Sequence, residues 1–365
     1  MSAPLLIVSL ATTDGWVVNE RELAAGLERL GVEHRVVRLS LGAEAHLRRT
    51  GFWPLVDAVE ARGARRALEA GLREGDVSAV VLLSTTAALL APVRRLRAAG
   101  TPVAIRIDCP SSVSRPGWQN AAQRALERRR SAEATLLIGQ GPRSAELLSA
   151  LSGNVASLPV PVDVAAGGSD AAANAGGDVL MYAADPDNKG LDLVCRAWWE
   201  LGAATGDRRL RITGVSAERG RRFLTRRGIA EPPGLTWHGD LEREEHLALL
   251  RAAAAYVSAS AWEGAGIAQL ETLAAGVPLV TTPSLGAYEA HPIAAGLTPG
   301  LATESRDVPG LSAALGAALA MGADDRAAYA KQAAEAVAGF SRAAADRALA
   351  DQVLPRLGLA APLGP

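Results

Sequence analysis

Short runs of consecutive apolar residues alternate with longer stretches of helical period along the whole chain. Short strands separated by amphipathic helices are typical of parallel sheets with helical crossovers. In the first half this pattern predicts helices such as 19–30 and 119–130, and strands over residues 5–10, 35–39, 79–83, 103–107 and 135–138. In the second half it predicts strands over residues 179–183, 210–213, 235–238, 255–258 and 279–281. We therefore predict an α/β chain with two doubly wound domains.

The two predicted domains are separated by a stretch without aromatic or long apolar residues, between Asp163 and Asp178. Such a composition is typical of a flexible linker. We predict a first domain over 1–165, a linker over 166–177, a second domain over 178–340, and a C-terminal helix over 341–365 that returns to the first domain. Because open α/β sheets bind ligands outside the carboxyl ends of their strands, the two domains are expected to face each other across a cleft.

Charge and composition exclude several classes of protein. The chain has 38 basic and 39 acidic residues, so its net charge of -1 gives no field to attract nucleic acid or an anionic membrane. Cys109 and Cys195 lie far apart and predict neither a disulfide framework nor a thiolate metal site. No apolar stretch reaches the roughly 18 residues that span a bilayer, and no basic leader precedes the first apolar run. We expect a cytoplasmic protein without a transmembrane segment or nucleic-acid partners, and leave its oligomeric state open.

The most informative segment follows the strand predicted to end at Ser258. A turn that contains Gly264 and Gly266 opens a helix near Ala265. The first turn of such a helix presents free N–H groups and a positive dipole end, which together bind phosphate. The two glycines allow a ligand to approach the backbone closely. This segment therefore indicates an anion-binding helix N-terminus in the second domain.

Two glutamates, Glu263 and Glu271, accompany that helix start with seven residues between them. The apolar stripe of the helix is predicted to consist of Ile267, Leu270 and Ala274. Glu271 falls on the same stripe, and a buried carboxylate without partners costs several kcal/mol. Its partner is either an arginine of the protein or a pair of ligand hydroxyls such as those of a ribose. Glu263 taken singly fits an ordinary helix N-terminal acid, but the two glutamates together favour a ligand site.

A second helix start is predicted at Lys189 and Gly190, after strand 179–183. Its buried face is predicted to consist of Leu191, Val194, Trp198 and Leu201. A helix N-terminus disfavours a cation, so Lys189 needs an anionic partner. The candidates are a ligand diphosphate and the three neighbouring acids Asp185, Asp187 and Asp192. The chain has 36 arginines and one other lysine, so the use of lysine at this position favours the ligand.

These residues resemble the retaining GT-B glycosyltransferases of family 4. That family has two Rossmann-like domains, with a Lys-Gly helix start and an E-x7-E segment in the second, which match Lys189-Gly190 and Glu263 to Glu271. The resemblance covers the C-terminal half, and the first half is similar in architecture. It implies a GT-B fold and a metal-independent enzyme without a cofactor. Such an enzyme moves a sugar, with retention, from a nucleotide-diphosphate sugar to an acceptor hydroxyl.

The resemblance implies a role for each matching residue. Lys189 would bind the donor diphosphate, Glu263 would contact hydroxyls of the donor sugar, and Glu271 would bind the ribose. Further donor-binding positions that it implies are Gly214, His238, Gly264, Ala265, Gly266 and Ile267, with the N–H groups of the last two near the phosphates. The family usually has an arginine five residues before the lysine, where this chain has Ala184. The diphosphate then has one positive partner fewer, unless Arg106, Arg115 or another arginine replaces it.

The first domain offers positional candidates. Gly15 and Trp16 follow the opening strand, where the family has an acceptor-side glycine loop. Asp108 follows strand 103–107, where the family often places a cleft histidine, and is a third catalytic candidate beside Lys189 and Glu263. A turn-forming role before Pro110 is the alternative for Asp108. The acceptor and the nucleotide base stay open at this stage.

Motifs typical of other enzyme classes are either absent from the sequence or explained by a turn. Asp185-Pro-Asp187 has the D-x-D pattern of metal-dependent transferases, but a turn before the Lys-Gly helix start is favoured. The opening βα turn has no dinucleotide fingerprint, and the chain has no G-x-S-x-G segment. Two alternatives stay open: a non-hydrolysing nucleotide-sugar epimerase, which needs no acceptor, and a non-catalytic GT-B protein that binds nucleotide sugars.

Overall fold

The chain divides into two compact units. A computed structural model describes residues 3–12, 14–41, 46, 52–162 and 173–360. Unit 1 comprises Met1–Pro161 and Arg342–Pro365, and unit 2 comprises Val162–Ser341. Residues 166–172 of the predicted linker lie outside the described part of the chain.

Unit 1 is built on a six-stranded parallel sheet with strand order β2-β1-β3-β4-β5-β6. The strands are β1 (Leu5–Ser9), β2 (His34–Arg38), β3 (Ala79–Leu82), β4 (Val103–Ile107), β5 (Leu136–Gly139) and β6 (Val155–Ser157). The helices between them are α1 (Asp14–Arg29), α2 (Trp53–Arg73), α3 (Thr85–Leu89), α4 (Val93–Ala98), α5 (Ser111–Ser114), α6 (Ala121–Glu133) and α7 (Pro142–Ser149). Apolar side chains cover both faces of this sheet, as is usual for an all-parallel sheet.

Unit 2 has a five-stranded parallel sheet with strand order β11-β10-β7-β8-β9. Its strands are β7 (Val179–Tyr182), β8 (Leu210–Thr213), β9 (Leu235–Gly239), β10 (Ala255–Ser258) and β11 (Leu279–Thr281). Its helices are α8 (Leu191–Leu201), α9 (Ala217–Arg226), α10 (Arg243–Arg251), α11 (Ile267–Ala274), α12 (Ala290–Leu297), α13 (Val308–Ala320) and α14 (Ala323–Ala336). The strand order reverses between β7 and β10, which is where a doubly wound sheet opens a crevice for ligands.

The last segment of the chain belongs to unit 1. It consists of α15 (Arg342–Ala348), a π-helical turn (Leu349–Val353) and a short 3-10 helix (Pro355–Leu357). Leu349, Leu354 and Leu357 are buried in the same apolar cluster as Leu5 and Ile7 of β1. An ion pair between Arg29 and Asp346, 2.7 Å long, joins α15 to α1.

The predicted strands are confirmed to within one residue at each end, and the α/β class is confirmed for both units. The pattern missed β6, because three residues at the edge of a sheet give too short an alternation to detect. The loop predicted to carry Gly15 and Trp16 is wrong, since both residues lie in the first turn of α1. Among the described residues, no helix is long and apolar enough to cross a membrane.

Candidate active site at the switch point of unit 2

The sequence-predicted residues of the second half come together at the carboxyl edge of the unit 2 sheet. Lys189 lies in the loop after β7, and Glu263 lies in the loop after β10. These two strands are neighbours in the sheet, and the strand order reverses between them. The crossover helices of two such strands diverge, which leaves a crevice between their N-termini. The topology thus brings together residues that are far apart in the sequence.

The loop that carries Lys189 is held tightly against the end of β10. Gly190 has a left-handed backbone with φ of 70°, and a Cβ atom there would lie 2.3 Å from the carbonyl oxygen of Ala259. Asn188 adds three hydrogen bonds to the same loop: its carbonyl oxygen accepts from Ala261 N, and its side chain bonds both the N–H and the carbonyl oxygen of Trp262. Glycine is required at 190 by both conformation and space. Sequence reasoning missed Asn188.

Lys189 and Glu263 form an ion pair of 2.5 Å between Nζ and Oε1. Glu263 is buried, and the same oxygen accepts hydrogen bonds from Ser260 Oγ at 2.7 Å and Gln269 Nε2 at 3.1 Å. The anionic partner of Lys189 is therefore Glu263 and none of the three nearby aspartates, Asp185, Asp187 and Asp192. Nearness in the sequence does not predict this pair, because Glu263 lies in the loop after the neighbouring strand of the sheet.

Helix α11 begins at Ile267, two residues later than predicted. Gly266 is its N-cap with φ of 73°, and a Cβ atom at this position would lie 2.7 Å from the ring of Tyr288. Gly264 and Ala265 form a bend before the helix. The free N–H groups of the first turn are thus those of Gly266, Ile267 and the residues that follow, which is the arrangement that binds anions. The burial of α11 is wider than the predicted stripe and includes Gln269, Leu270, Glu271, Thr272 and Leu273.

Glu271 is buried, as the sequence predicted, and its partner is an arginine of the protein. Nη2 of Arg243 lies 2.6 Å from Oε1 of Glu271. Burial raises the pKa of the Glu271 carboxyl, and the charge of Arg243 opposes that rise. Of the two partners that the sequence left open, ligand hydroxyls or a protein arginine, this structure contains the arginine.

The remaining donor-side positions lie at the ends of β8 and β9. Gly214 follows β8 with φ of 78°, and a Cβ atom there would lie 2.5 Å from the ring of Tyr182. His238 is half-buried near the end of β9, and its Nε2 has no hydrogen-bond partner among the described residues. Burial lowers the pKa of His238, and the nearby charge of Arg211 lowers it further. A neutral imidazole with one open nitrogen is suited to a hydrogen bond with a ligand.

On unit 1, Asp108 lies directly after β4. Its Oδ1 accepts a hydrogen bond of 2.8 Å from the N–H of Cys109, and burial raises the pKa of its carboxyl. Close by, the carboxylate of Glu127 accepts two hydrogen bonds from the N–H of Ser111 and one from the hydroxyl of Thr85. The contact with Cys109 is the one expected of a turn-forming aspartate.

The two arginines named as replacements for the missing family arginine are engaged within unit 1. Arg106 is fully buried, donates to the carbonyl oxygen of Leu158 at 3.0 Å, and has a pKa that burial lowers to about 10. Because the side chain of Arg106 is enclosed in unit 1, it is not available to a ligand at the surface. Arg115 lies 3.5 Å from the buried carboxylate of Asp57.

Asp185 and Asp187, the D-x-D pair, form the turn before α8. The carbonyl oxygen of Asp185 accepts from the N–H of Lys189 at 2.8 Å, and the carboxylate of Asp187 is paired with Arg227. Neither carboxylate belongs to a cluster of three possible metal ligands in the described ranges.

Comparison with known proteins gives a family match within unit 2. Residues 177–321, which lie within unit 2, match the family model described as Glycosyl transferases group 1. Unit 2 is therefore similar to a group 1 glycosyltransferase domain over these residues. The matched residues include Lys189, Gly214, His238, Glu263 and Glu271. A sequence comparison with curated proteins gives no match.

Solved structures of similar fold cover nearly the whole chain. Sucrose-phosphate synthase from Thermosynechococcus elongatus is 17% identical with a TM-score of 0.72, over 94% of this chain and 96% of that one. Trehalose 6-phosphate synthase from Burkholderia multivorans is 14% identical with a TM-score of 0.67, over 98% of each chain. Anabaena HepE, solved in complex with UDP and glucose, is 14% identical with a TM-score of 0.65, over 96% of this chain and 99% of that one. At these identities the likeness concerns the fold, which is GT-B.

Proposed function

We propose that this protein transfers a sugar from a nucleotide-diphosphate sugar to an acceptor hydroxyl. One observation carries the proposal: both glutamates of the E-x7-E segment lie at the switch point of a group 1 glycosyltransferase domain, each bound to a cation at a helix start. Carboxylates of this kind are suited to binding sugar hydroxyls, and the cations are suited to binding phosphates.

The proposed donor replaces the ion pairs with contacts of its own. Hydroxyls of the sugar would take the place of Lys189 on Glu263, and hydroxyls of the ribose would take the place of Arg243 on Glu271. Lys189 would then bind the diphosphate together with the N–H groups at the start of α11. The side chain of Lys189 is partly exposed and can make this exchange without moving the backbone, since Gly190 and Asn188 fix the loop beneath it.

The chemistry that we propose is electrostatic and needs no enzymatic nucleophile. The bond between the anomeric carbon and the diphosphate oxygen breaks, while Lys189 and the helix N-terminus stabilise the charge that develops on that oxygen. The acceptor oxygen bonds to the anomeric carbon on the face that the diphosphate leaves, so configuration is retained. The acceptor proton passes to the departing phosphate. On this mechanism no metal ion is required, and turnover should persist in a chelator.

The acceptor is assigned to unit 1. Gly15, Trp16 and Asp108 follow β1 and β4 at the carboxyl edge of its sheet, where an open parallel sheet binds ligands. Two of the fold neighbours are named as synthases of sugar phosphates, and a third was solved with UDP and glucose. UDP-glucose with phosphorylated hexose acceptors is therefore the first substrate pair to test.

Thermal denaturation with UDP, GDP, ADP, dTDP and CDP in parallel tests the donor site. A ligand at 100 times its Kd adds about 2.7 kcal/mol to the free energy of unfolding, so the correct diphosphate raises the Tm by several degrees. Glu271→Ala should lose that rise, whereas Arg222→Ala, which removes an exposed ion pair with Glu218 elsewhere in unit 2, should keep it.

The matching sugar donor then distinguishes the enzyme classes. A transferase releases the diphosphate faster when a correct acceptor is added, with a retained anomeric centre in the product by NMR. An epimerase converts the donor without an acceptor. If no diphosphate at millimolar concentration moves the Tm, the proposed function is wrong.

A further inference from the structure

The proposed diphosphate site is short of one cation. In a nucleotide-diphosphate sugar each of the two phosphates carries a negative charge, and Lys189 supplies one positive charge. Position 184, five residues before it, holds an alanine. The inference below rests on the proposed function and concerns the residue that supplies the second charge.

The first turn of α10 contains a cation that helix stability does not explain. Arg243 is the first residue of the helix and follows the N-cap Glu242, which forms a capping box with Glu245. The positive end of a helix dipole disfavours an arginine at this position and favours the two glutamates that follow it. The capping box holds the backbone of Arg243 in place whatever its side chain does. The start of α10 therefore does not need the guanidinium of Arg243, which is available to contact other groups.

The ion pair between Arg243 and Glu271 is strongly asymmetric. The side chain of Arg243 is 48% exposed, and that of Glu271 is 4% exposed. The arginine lies over the carboxylate from the solvent side, so it can leave by rotation of its own exposed stem without repacking the core. The carboxylate of Glu271 cannot move out with the arginine, because it lies on a buried part of α11. The arginine thus covers a buried anion at the place proposed for the ribose.

Helix α10 begins close to position 184. One turn after Arg243, the ring of His246 lies 3.3 Å from the hydroxyl of Thr213 and packs edge-on against Tyr182. The next residue after Thr213 is Gly214, where a Cβ atom would lie 3.0 Å from the backbone nitrogen of Ala184. These contacts place the start of α10 at the same edge of the sheet as Ala184. Arg243, at the start of α10, thus belongs to the same edge of the sheet as position 184.

Two other arginines near this edge are bound elsewhere. Arg227 pairs with Asp187 and lies 3.9 Å from Asp192 at the start of α8. Arg306 donates from Nε to the carbonyl oxygen of Ala259 at 2.8 Å. Arg243 differs from both because its partner is the carboxylate that the nucleotide itself would engage.

We propose that Arg243 is the second diphosphate-binding cation of this site, and that it rests on Glu271 until a nucleotide binds. When the ribose hydroxyls bind Glu271, the displaced guanidinium moves onto the phosphates. The same ligand thus gives Glu271 and Arg243 a new partner each, so neither charge is left uncompensated.

The ratio of two affinities tests this proposal. For wild type and Arg243→Ala, Kd is measured by calorimetry for the diphosphate that raises the Tm most, and by ligand-detected NMR for the corresponding nucleoside, which has no phosphate. The loss of a charge-assisted phosphate contact should weaken the diphosphate by about tenfold or more. The nucleoside should bind equally well or more tightly, because the arginine no longer competes for Glu271. Arg222→Ala, the matched control, should leave both constants unchanged.

Inorganic pyrophosphate provides a second test that involves no ribose. Glu271→Gln removes the negative charge that binds Arg243. Because the guanidinium is then available to phosphate, pyrophosphate should bind several-fold more tightly to this variant than to wild type. The double variant Glu271→Gln, Arg243→Ala should lose that gain. The double variant also avoids an unpaired buried carboxylate, so it keeps the test valid if Arg243→Ala folds poorly.

Each contrary result has a distinct meaning. If Arg243→Ala weakens the diphosphate and the nucleoside by the same factor, Arg243 merely orients Glu271 and the proposal is overturned. It is equally overturned if Arg306→Ala, and not Arg243→Ala, lowers the diphosphate preference. If wild type binds no nucleoside diphosphate, the proposed function fails and this inference fails with it.

Discussion

At the scale of single residues, the site consists of carboxylates that are buried more deeply than the cations they bind. Glu263 and Glu271 are both enclosed, while Lys189 and Arg243 keep access to solvent. Removal of the cation from such a pair leaves an uncompensated buried charge, whereas removal of both partners is far milder. Substitutions at the two ends of one pair are therefore expected to differ in stability even where they agree in activity.

Lys189→Ala tests the catalytic role at this scale. We expect kcat to fall by about 100-fold or more, because one donor to the departing diphosphate is lost. The Tm should fall too, since Glu263 is left buried without its cation. Addition of Glu263→Gln should restore the Tm without restoring turnover, and circular dichroism should confirm the fold of both variants. Turnover close to wild type in Lys189→Ala would disprove the role assigned to the lysine.

His246 makes stability depend on pH. Burial lowers the pKa of its imidazole in the folded state, and the charge of Arg243 lowers it further. The unfolded chain binds a proton at about the ordinary value of 6.5, and the folded chain does so only at lower pH. The free energy of unfolding should therefore hold above about pH 6.5 and fall as the pH drops below it. Urea titrations from pH 7.5 to 5 should show a smaller loss for His246→Gln than for wild type.

At the scale of elements, the start of each ligand-facing helix depends on a glycine in a left-handed conformation. Gly190 precedes α8, and Gly266 precedes α11. A side chain would collide with other atoms of unit 2 in both places. At Gly190 it would collide with a carbonyl oxygen, and at Gly266 with the ring of Tyr288. These glycines set the direction from which the N-terminal N–H groups and Lys189 meet the crevice.

Gly266→Ala should damage both the fold and the site. A left-handed backbone costs an L-residue about 1–2 kcal/mol, and the new methyl group would collide with Tyr288. We expect a lower Tm and a nucleotide affinity reduced more than the Tm predicts, because the N–H groups of the first turn would shift. Gly296→Ala is the matched control: it lies within α12 with no atom near its Cβ position, so its Tm should stay or rise slightly. Equal Tm values for the two variants would contradict this account of Gly266.

At the scale of the whole molecule, the end of the chain completes the core of unit 1. Leu349, Val353 and Leu354 fill a cluster that also contains residues of β1, β3 and β4. The last segment therefore contributes to the stability of a unit that begins more than 300 residues earlier in the sequence.

Leu354→Ala measures that contribution. The side chain is fully buried, and its loss should cost about 2–5 kcal/mol. Hydrogen exchange should accelerate in β1, β3 and β4 of unit 1. Gln352→Ala, an exposed neighbour, should leave both the Tm and the exchange rates unchanged. Unaltered exchange in those strands for Leu354→Ala would mean that the C-terminal segment is not part of the unit 1 core.

The sequence by itself determined the parts of this protein that depend on local pattern. Runs of apolar residues locate the central strands, because these strands are buried on both faces and are continuous hydrophobic segments in the sequence. The burial of Glu271 followed from its helical spacing, and the two helix starts followed from their glycines.

The tertiary structure decided which of these residues meet. The partner of Lys189 is 74 positions away, in the loop after the strand across the switch point, and the partner of Glu271 is Arg243 at the start of helix α10. No spacing rule predicts such pairs, because they depend on strand order and on the direction from which each crossover helix begins. Arg106 illustrates the reverse case: its position in the sequence suggested a ligand contact, yet the fold enclosed it in a core. Local pattern fixes which segments are buried, and the sheet topology fixes which charged side chains share the crevice.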